Sequence, residues 1–585
     1  MTLRSFVLLT SLAISLTVQA FLPVHADTLQ AEPEAATGRA EKKLVHAKSY
    51  MAVAANPLAS KAAAEILAQG GSAIDAAIAA QMVLTLVEPQ SSGIGGGAFI
   101  LHWDAGAKAL KTYDGRETAP ASARPNRFLA EGGRLIFIEK AMRSGLSVGV
   151  PGLVRLLELA HRRHGKLPWR DLFLPAIKLA DSGFPVSPRL HKLLSHRSAS
   201  HFGPTARAYF YDEYGRPRPV GIPLKNPALA QTFRRIAAEG AKAFYQGEIA
   251  QAIIDRLQRA PISPSGMTLA DLANYRAKER PPVCIGYRDY KICGMGPPSS
   301  GGYTVAQTLK LLEPFNLGAK PLNVDALHVI AEAEKLAYAD RNRYMADSDF
   351  VTVPGGLLDE AYLVKRRKLI NLEKAATRQS PGSPPDVKKT DYGRDATVER
   401  AGTSHISVFD AAGNAVSMTT TIESGFGARM MVGGFLLNNE LTDFSFRPQD
   451  KDGRPIANRL QPGKRPRSSM APTIVFDAKD EPVMILGSPG GNSIILYVIK
   501  SLIGLIDWKL NAQSAAALAN FGNRNNGPFA VEPDALTLSQ RRALFAKGHR
   551  LHIKSMTSGT HIIVKTPDGL TGGADPRREG LAVGD

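Results

Sequence analysis

The spacing of apolar and polar positions divides this chain into a helix-rich first part and a strand-rich last part. Apolar residues recur at helical intervals over 57–67, with Pro57 at the first position and Gly70-Gly71 just past the end. Ser72-Ala73-Ile74-Asp75 has the form of a capping box and opens a second, mostly buried helix running to about residue 87. A tight Gly-rich loop follows over 88–97. Amphipathic patterns then predict helices over 153–164, 171–182, 229–239, 303–312 and 324–344, with a hairpin over 283–293 between the third and the fourth. Residues 364–402 change character: a run of basic residues and a Pro/Ser-rich stretch read as a mobile surface segment. After residue 403 the period shortens to two. Strands are expected over 404–409, 414–421, 472–477, 483–487 and, last, 559–565, with helices near 491–506 and 535–547. Strands gathered in this way and flanked by helices suit an α+β fold, a four-layer αββα sandwich.

Composition changes this picture in three places. The N-terminus has a short positive region, an apolar stretch and a small-residue end, the pattern of a secretory signal peptide over 1–26. Cleavage is expected after Ala26, with Ala20 as the alternative; the apolar stretch is too short to span a membrane. The remaining 585 − 26 = 559 residues are too many for one simple core. The protein is expected to be periplasmic or secreted, without a stable membrane anchor. The net charge of +19 is dispersed and is not interleaved with aromatics, which argues against a nucleic-acid partner. Cys284 and Cys293 face each other across a turn at Arg288-Asp289, within reach of a disulfide; two unpaired strand thiols are the alternative. No spacing of a metal site is present.

The candidate chemistry centres on Gly402-Thr403, in the segment AGTSHISVFDAAGNAVSMTTTIESGFG over 401–427. A threonine hydroxyl is a poor nucleophile unless a base is adjacent. Cutting the peptide bond before Thr403 would free an α-amine on the same residue, whose pKa of about 7.7–8.0 lets it take the hydroxyl proton near neutral pH. Read alone, a Gly-Thr pair only starts a strand. The surrounding segments give it meaning: LLNNELTDF over 436–444, GKRPRSSMAPTIVFD over 463–477, GSPGGNSII over 487–495 and, upstream, GGSAIDAAIAAQ, EPQSSGIGGGAF, SVGVPG, LANYRA and GPPSSGG.

Together these segments closely resemble the γ-glutamyltransferases (γ-glutamyltranspeptidases), in the family's order and over nearly all of the chain after the leader. The resemblance implies an N-terminal-nucleophile hydrolase fold formed jointly by two chains. Self-cleavage at Gly402–Thr403 would separate a large subunit, 27–402, from a small subunit, 403–585. It implies no metal or organic cofactor, γ-glutamyl donors such as glutathione, and water, amino acids or peptides as acceptors. Thr403 is then the nucleophile. Thr421 is expected to hold its hydroxyl, and Gly490 and Gly491 to offer backbone N–H groups to the oxyanion. Arg116, with Ser468 and Ser469, would take the substrate carboxylate. Glu423, Glu440 and Asp443 would take its α-ammonium; the first two stand where amides also occur in the family. The polar loop 445–462 is placed to cover the pocket and lacks the tyrosine that some relatives use as a gate.

Other readings of the same residues exist. Gly145-Leu146-Ser147-Val148-Gly149 fits a serine-hydrolase elbow but lacks the helix immediately after it. Gly93–Ala98 fits a dinucleotide-loop pattern but follows a helix. A periplasmic amino-acid binder would use Arg116, Asp443 and the serines without any cut. An acylase acting on glutaryl amides would keep the nucleophile but has no use for Glu440 and Asp443, since such substrates lack the amine.

Overall fold

A computed structural model of the continuous chain describes residues 36, 38–385, 387, 391–397, 399–400 and 402–585. The proposed leader lies outside the described residues. The core is two antiparallel sheets, each of seven strands. The first runs, in spatial order, Leu581–Gly584, Met51–Ala54, Thr403–Phe409, Ala415–Thr421, Gly97–Asp104, Ala109–Asp114 and Lys278–Arg280. The second runs Val45–Ala47, Gly569–Ala574, His561–Thr566, Pro482–Gly487, Thr473–Phe476, Tyr290–Gly294 and Val283–Tyr287. Both sheets mix strands from before and after residue 403, so neither part can form its sheet alone.

Helices Pro57–Ala68 and Ala73–Val87 cover the outer face of the first sheet. Gly301–Leu312, Ile494–Ile506 and Ala512–Ala517 cover the outer face of the second, which completes four layers. Strand alternation decides what each face carries. Ile406, Val408, Val416 and Met418 join Ile74, Ile78 and Met82 in the helix-side core. The other face of the same two strands carries Thr403, His405, Ser407, Ser417, Thr419 and Thr421, all buried. Buried polar groups must find partners, and these bridge the sheets. Ser417 donates to the Leu486 carbonyl (2.9 Å) and Ser407 to the His561 carbonyl (3.2 Å). His405 lies beside the Thr419 hydroxyl (2.9 Å) and is held neutral, well below the usual histidine range, by burial and by His561.

Seven of the fourteen strands in these two sheets were not legible in the hydrophobic pattern, among them Val45–Ala47, Ala109–Asp114 and Lys278–Arg280. Gly97–Asp104 follows directly on the Gly-rich loop, and Met51–Ala54 is four residues long. Gly569–Ala574 and Leu581–Gly584 follow the strand expected to be last; they are built of small residues that carry little alternation. The expected helix 171–182 is a 3₁₀ turn, Trp169–Phe173, leading into Leu174–Ser182, where Pro175 sits in the first turn. The hairpin pairs Tyr287 with Tyr290 and Cys284 with Cys293, and a disulfide joins the two cysteines.

The stretch expected to be mobile is tethered over its described residues. Ala375 N–H donates to the Lys547 carbonyl, Gly382 N–H to Asp340, Gly393 N–H to the Pro455 carbonyl and Asp395 N–H to the Asn342 carbonyl. The chain thus crosses the surface as a strap and turns inward to Thr403.

Candidate active site

Thr403 opens one strand and lies directly opposite Thr421, the last residue of its neighbour. Gly402 is pressed against the backbone at Glu423: a Cβ there would stand 1.8 Å from the Glu423 carbonyl oxygen. Only a glycine permits that approach. It brings the Gly402 carbonyl to the Thr421 hydroxyl, which donates to it at 2.7 Å. The Glu423 N–H donates in turn to the Thr421 oxygen at 2.8 Å, which fixes the hydroxyl rotor. The sequence reading set Thr421 against the Thr403 hydroxyl; in the continuous chain its proton goes to the carbonyl that Thr403 would attack. The Thr403 carbonyl accepts from Arg578 (3.1 Å), and the Ser404 hydroxyl donates to Glu88 (2.9 Å).

Arg116 is almost fully buried beside this junction. Its backbone is fixed from both sides: its N–H donates to Asp114 (2.9 Å) and its carbonyl accepts from the Tyr275 hydroxyl (2.7 Å). Its guanidinium donates to Glu440, to Asp443 (2.6 Å) and to the carbonyls of Pro466 (3.2 Å) and Arg467 (3.1 Å). Glu117 lies 3.9 Å from the same guanidinium, also buried. The arginine expected to meet a substrate carboxylate therefore holds two of the three acids expected to meet the ammonium, Glu440 and Asp443.

The serine pair is held from behind by GPPSSGG: Ser300 donates to the Ser468 carbonyl (2.7 Å), and Ser468 N–H to the Pro298 carbonyl (3.1 Å). The Ser469 hydroxyl donates to the carboxylate of Glu399. Arg341 donates to that carboxylate (2.5 Å) and to the Ser469 oxygen (2.6 Å); Arg467 donates to Glu399 at 3.1 Å. Gly490 and Gly491 have φ values of 140° and 55°, both in the region that favours glycine. They turn the chain from strand Pro482–Gly487 towards helix Ile494–Ile506, and Gly491 faces the same space as Thr403. That space, lined also by Arg116, Thr421, Glu423 and Ser468, measures about 10 Å³, no more than a water requires. Thr403 and these residues thus face one narrow space.

Four carboxyls, Glu117, Glu423, Glu440 and Asp443, share this buried volume around Arg116. Burial in this poorly solvated space pushes all four up from the usual carboxylate range, with Arg116 opposing the rise at Glu117, Glu440 and Asp443 and Arg400 opposing it at Glu423. Glu423, which accepts from the Asn439 side chain (2.5 Å), is pushed up to about 8 by burial and by Asp443. A carboxyl raised in the folded state stabilises the fold below its unfolded pKa, and that stability is lost as pH rises through the folded value. In an uncleavable Thr403→Ala background, Glu423→Gln is therefore expected to shrink the fall in Tm between pH 5 and pH 8. The effect is up to about 1.4 kcal/mol per pH unit. Melting curves at the two pH values check this; an unchanged fall would mean that Glu423 is ionised throughout.

Sequence reasoning missed Glu117, Arg341 and Glu399. Glu117 adjoins Arg116 in the chain, and that adjacency was the available signal. Arg341 lies inside a long buried helix, Val324–Tyr344, and nothing in its spacing marks it. The elbow serine, Ser147, is buried and donates to the carbonyls of Met142 (3.0 Å) and Ser144 (2.8 Å), as a loop residue does.

The chain as a whole has relatives. The model of the gamma-glutamyltranspeptidase family matches residues 59–585. A Bacillus subtilis (strain 168) protein named glutathione hydrolase proenzyme is 36% identical, over 99% of this chain and 98% of its own. A protein of the same name from Escherichia coli (strain K12) is 36% identical over 91% of each chain. The crystal structure of cephalosporin acylase from Bacillus halodurans aligns with a TM-score of 0.80 at 29% identity, covering 94% of this chain and 98% of that one. With a family match of that extent laid over the Gly402–Thr403 junction and its ring of charges, the chain belongs to the γ-glutamyltranspeptidase family.

Proposed function

We propose that this chain cuts itself between Gly402 and Thr403 and then acts as a γ-glutamyltransferase and hydrolase on γ-glutamyl amides such as glutathione. The observation that carries this reading is the Thr421 hydroxyl on the Gly402 carbonyl, 2.7 Å away, with Thr403 next in the chain and the Arg116 cluster alongside. The Thr403 hydroxyl oxygen adds to the Gly402 carbonyl carbon, and Thr421 stabilises the oxyanion. The Gly402–Thr403 C–N bond breaks, and the freed amine takes up the proton. Water hydrolyses the resulting ester, leaving a large subunit ending at Gly402 and a small subunit beginning at Thr403.

In the mature site the free α-amine of Thr403 takes the proton of its own hydroxyl, which attacks the γ-amide. The amine product leaves with that proton. The γ-glutamyl ester passes to water or to the amine of an amino acid or peptide. Arg116, Ser468 and Ser469 hold the substrate carboxylate; Asp443, Glu440 and Glu423 hold its ammonium. Gly490 and Gly491 supply N–H groups to the oxyanion. Export after removal of residues 1–26 fits this scheme; among the described residues no helix is long and apolar enough to cross a membrane.

Two of the relatives are named for different activities, a glutathione hydrolase and a cephalosporin acylase, and the acids supply the test between the two chemistries. A substrate ammonium offers three donors, and losing one charged acceptor in a partly desolvated pocket costs about 1.5–3 kcal/mol. Asp443→Asn is expected to lower kcat/KM for γ-glutamyl amides ten-fold or more, and to affect glutaryl amides, which lack the amine, far less. The comparison is made on fully cleaved protein. Equal losses on both substrates would remove Asp443 from amine recognition, and faster turnover of glutaryl amides by the unaltered enzyme would favour the acylase reading.

A further inference from the structure

Three residues before the Gly402–Thr403 bond, the strap sends the carboxylate of Glu399 into the site. It is 5% exposed and takes donors from three side chains: the hydroxyl of Ser469, the guanidinium of Arg341 (2.5 Å) and that of Arg467 (3.1 Å). Burial works to raise its pKa, but Arg341, Arg467 and Ser469 bring it down to about 2, so the group is an anion at any working pH. A second acid of the strap, Asp395, pairs with the far side of Arg467 (3.1 Å). These contacts hold the strap where the Gly402 carbonyl meets Thr421. They also occupy Ser469, a hydroxyl that the mature reaction needs for a substrate carboxylate.

Resting on the reading that the chain cuts itself at Gly402–Thr403, we propose that Glu399 is the positioning residue of that cut. It is an internal carboxylate that borrows part of the substrate's carboxylate site, holds the scissile bond in register and gives the site up afterwards. The Ser469 hydroxyl then serves two carboxylates in succession. The first belongs to the chain and is used once. The second belongs to each substrate. The cut is what separates the two uses, since a Glu399 joined to Thr403 cannot leave.

The test compares the wild type with Glu399→Gln and Glu399→Asp, following conversion of one chain to two on denaturing gels. It then measures kcat and KM of each protein after complete conversion, and Tm of each variant in a Thr403→Ala background. Glu399→Gln keeps the shape but loses the charge. It is expected to slow the cut ten-fold or more, with Glu399→Asp recovering part of the rate, while kcat/KM of the converted enzyme stays within two-fold of the wild type. A wild-type rate of cutting in Glu399→Gln would overturn the proposal. So would parallel losses in cutting, in Tm and in mature kcat/KM, which would mark Glu399 as a structural support. If Glu399→Gln does not accumulate as folded protein, Glu399→Asp carries the test: slower cutting at unchanged Tm supports the role, and a wild-type rate refutes it. A wild-type chain that never cuts would instead refute the underlying reading.

Discussion

Thr403→Ala is expected to remain one chain and to lose γ-glutamyl turnover by a factor of about 10⁴–10⁶, the usual cost of removing a nucleophile that works as part of a unit. The structure gives the reason for both losses. The Gly402 carbonyl is already polarised by Thr421 at 2.7 Å, and Gly402 is pressed so closely on the Glu423 backbone that its position is fixed. What remains for the cut is a side-chain hydroxyl on residue 403, and alanine has none. The variant should fold, because a methyl group at this strand position keeps the pairing with Thr421. A gel together with a γ-glutamyl-amide assay checks the prediction. A cleaved Thr403→Ala chain, or an intact one that turns over substrate, would place the nucleophile elsewhere.

Arg116→Lys is expected to leave the cut in place and to lower kcat/KM for γ-glutamyl amides by about 10²-fold or more, mainly through KM. The guanidinium reaches two carboxylates and two carbonyls from one planar fork. An ammonium keeps the charge but presents it from a single nitrogen, so those partners cannot all be met. Steady-state kinetics on the cleaved variant read the effect directly. If kcat and KM both stay at wild-type values, Arg116 serves the fold and not the substrate.

The parts of this site that were legible in the sequence are those whose chemistry is local. Thr403, Thr421 and Asp443 lie in segments whose residue types and order are distinctive, and the alternation after residue 403 places the two threonines at strand ends. The capping box at Ser72 and Asp75 is likewise a local signal; both of its hydrogen bonds form. What could not be read is what depends on the tertiary fold. The strand Gly97–Asp104 sits beside the Thr421 strand only because the first sheet mixes both halves of the chain. Arg341 reaches Ser469 across more than a hundred residues of sequence, and no spacing rule links them. The strap read as mobile because its composition is that of a loop; side chains and backbone of the folded body hold it, and composition does not report those contacts. Arg116 was identified by type and motif, but its partners in the continuous chain follow from which acids the fold buries beside it.

The most direct measurement is on the small subunit itself. Cleaved enzyme is mixed with a γ-glutamyl amide, quenched in acid within a turnover and analysed by peptide mass and fragmentation. The account predicts a small subunit whose first residues are Thr-Ser-His, carrying one γ-glutamyl group on Thr403 that disappears when a dipeptide acceptor is added before the quench. A γ-glutamyl group on any other residue, or turnover by a chain still joined at Gly402–Thr403, would contradict it.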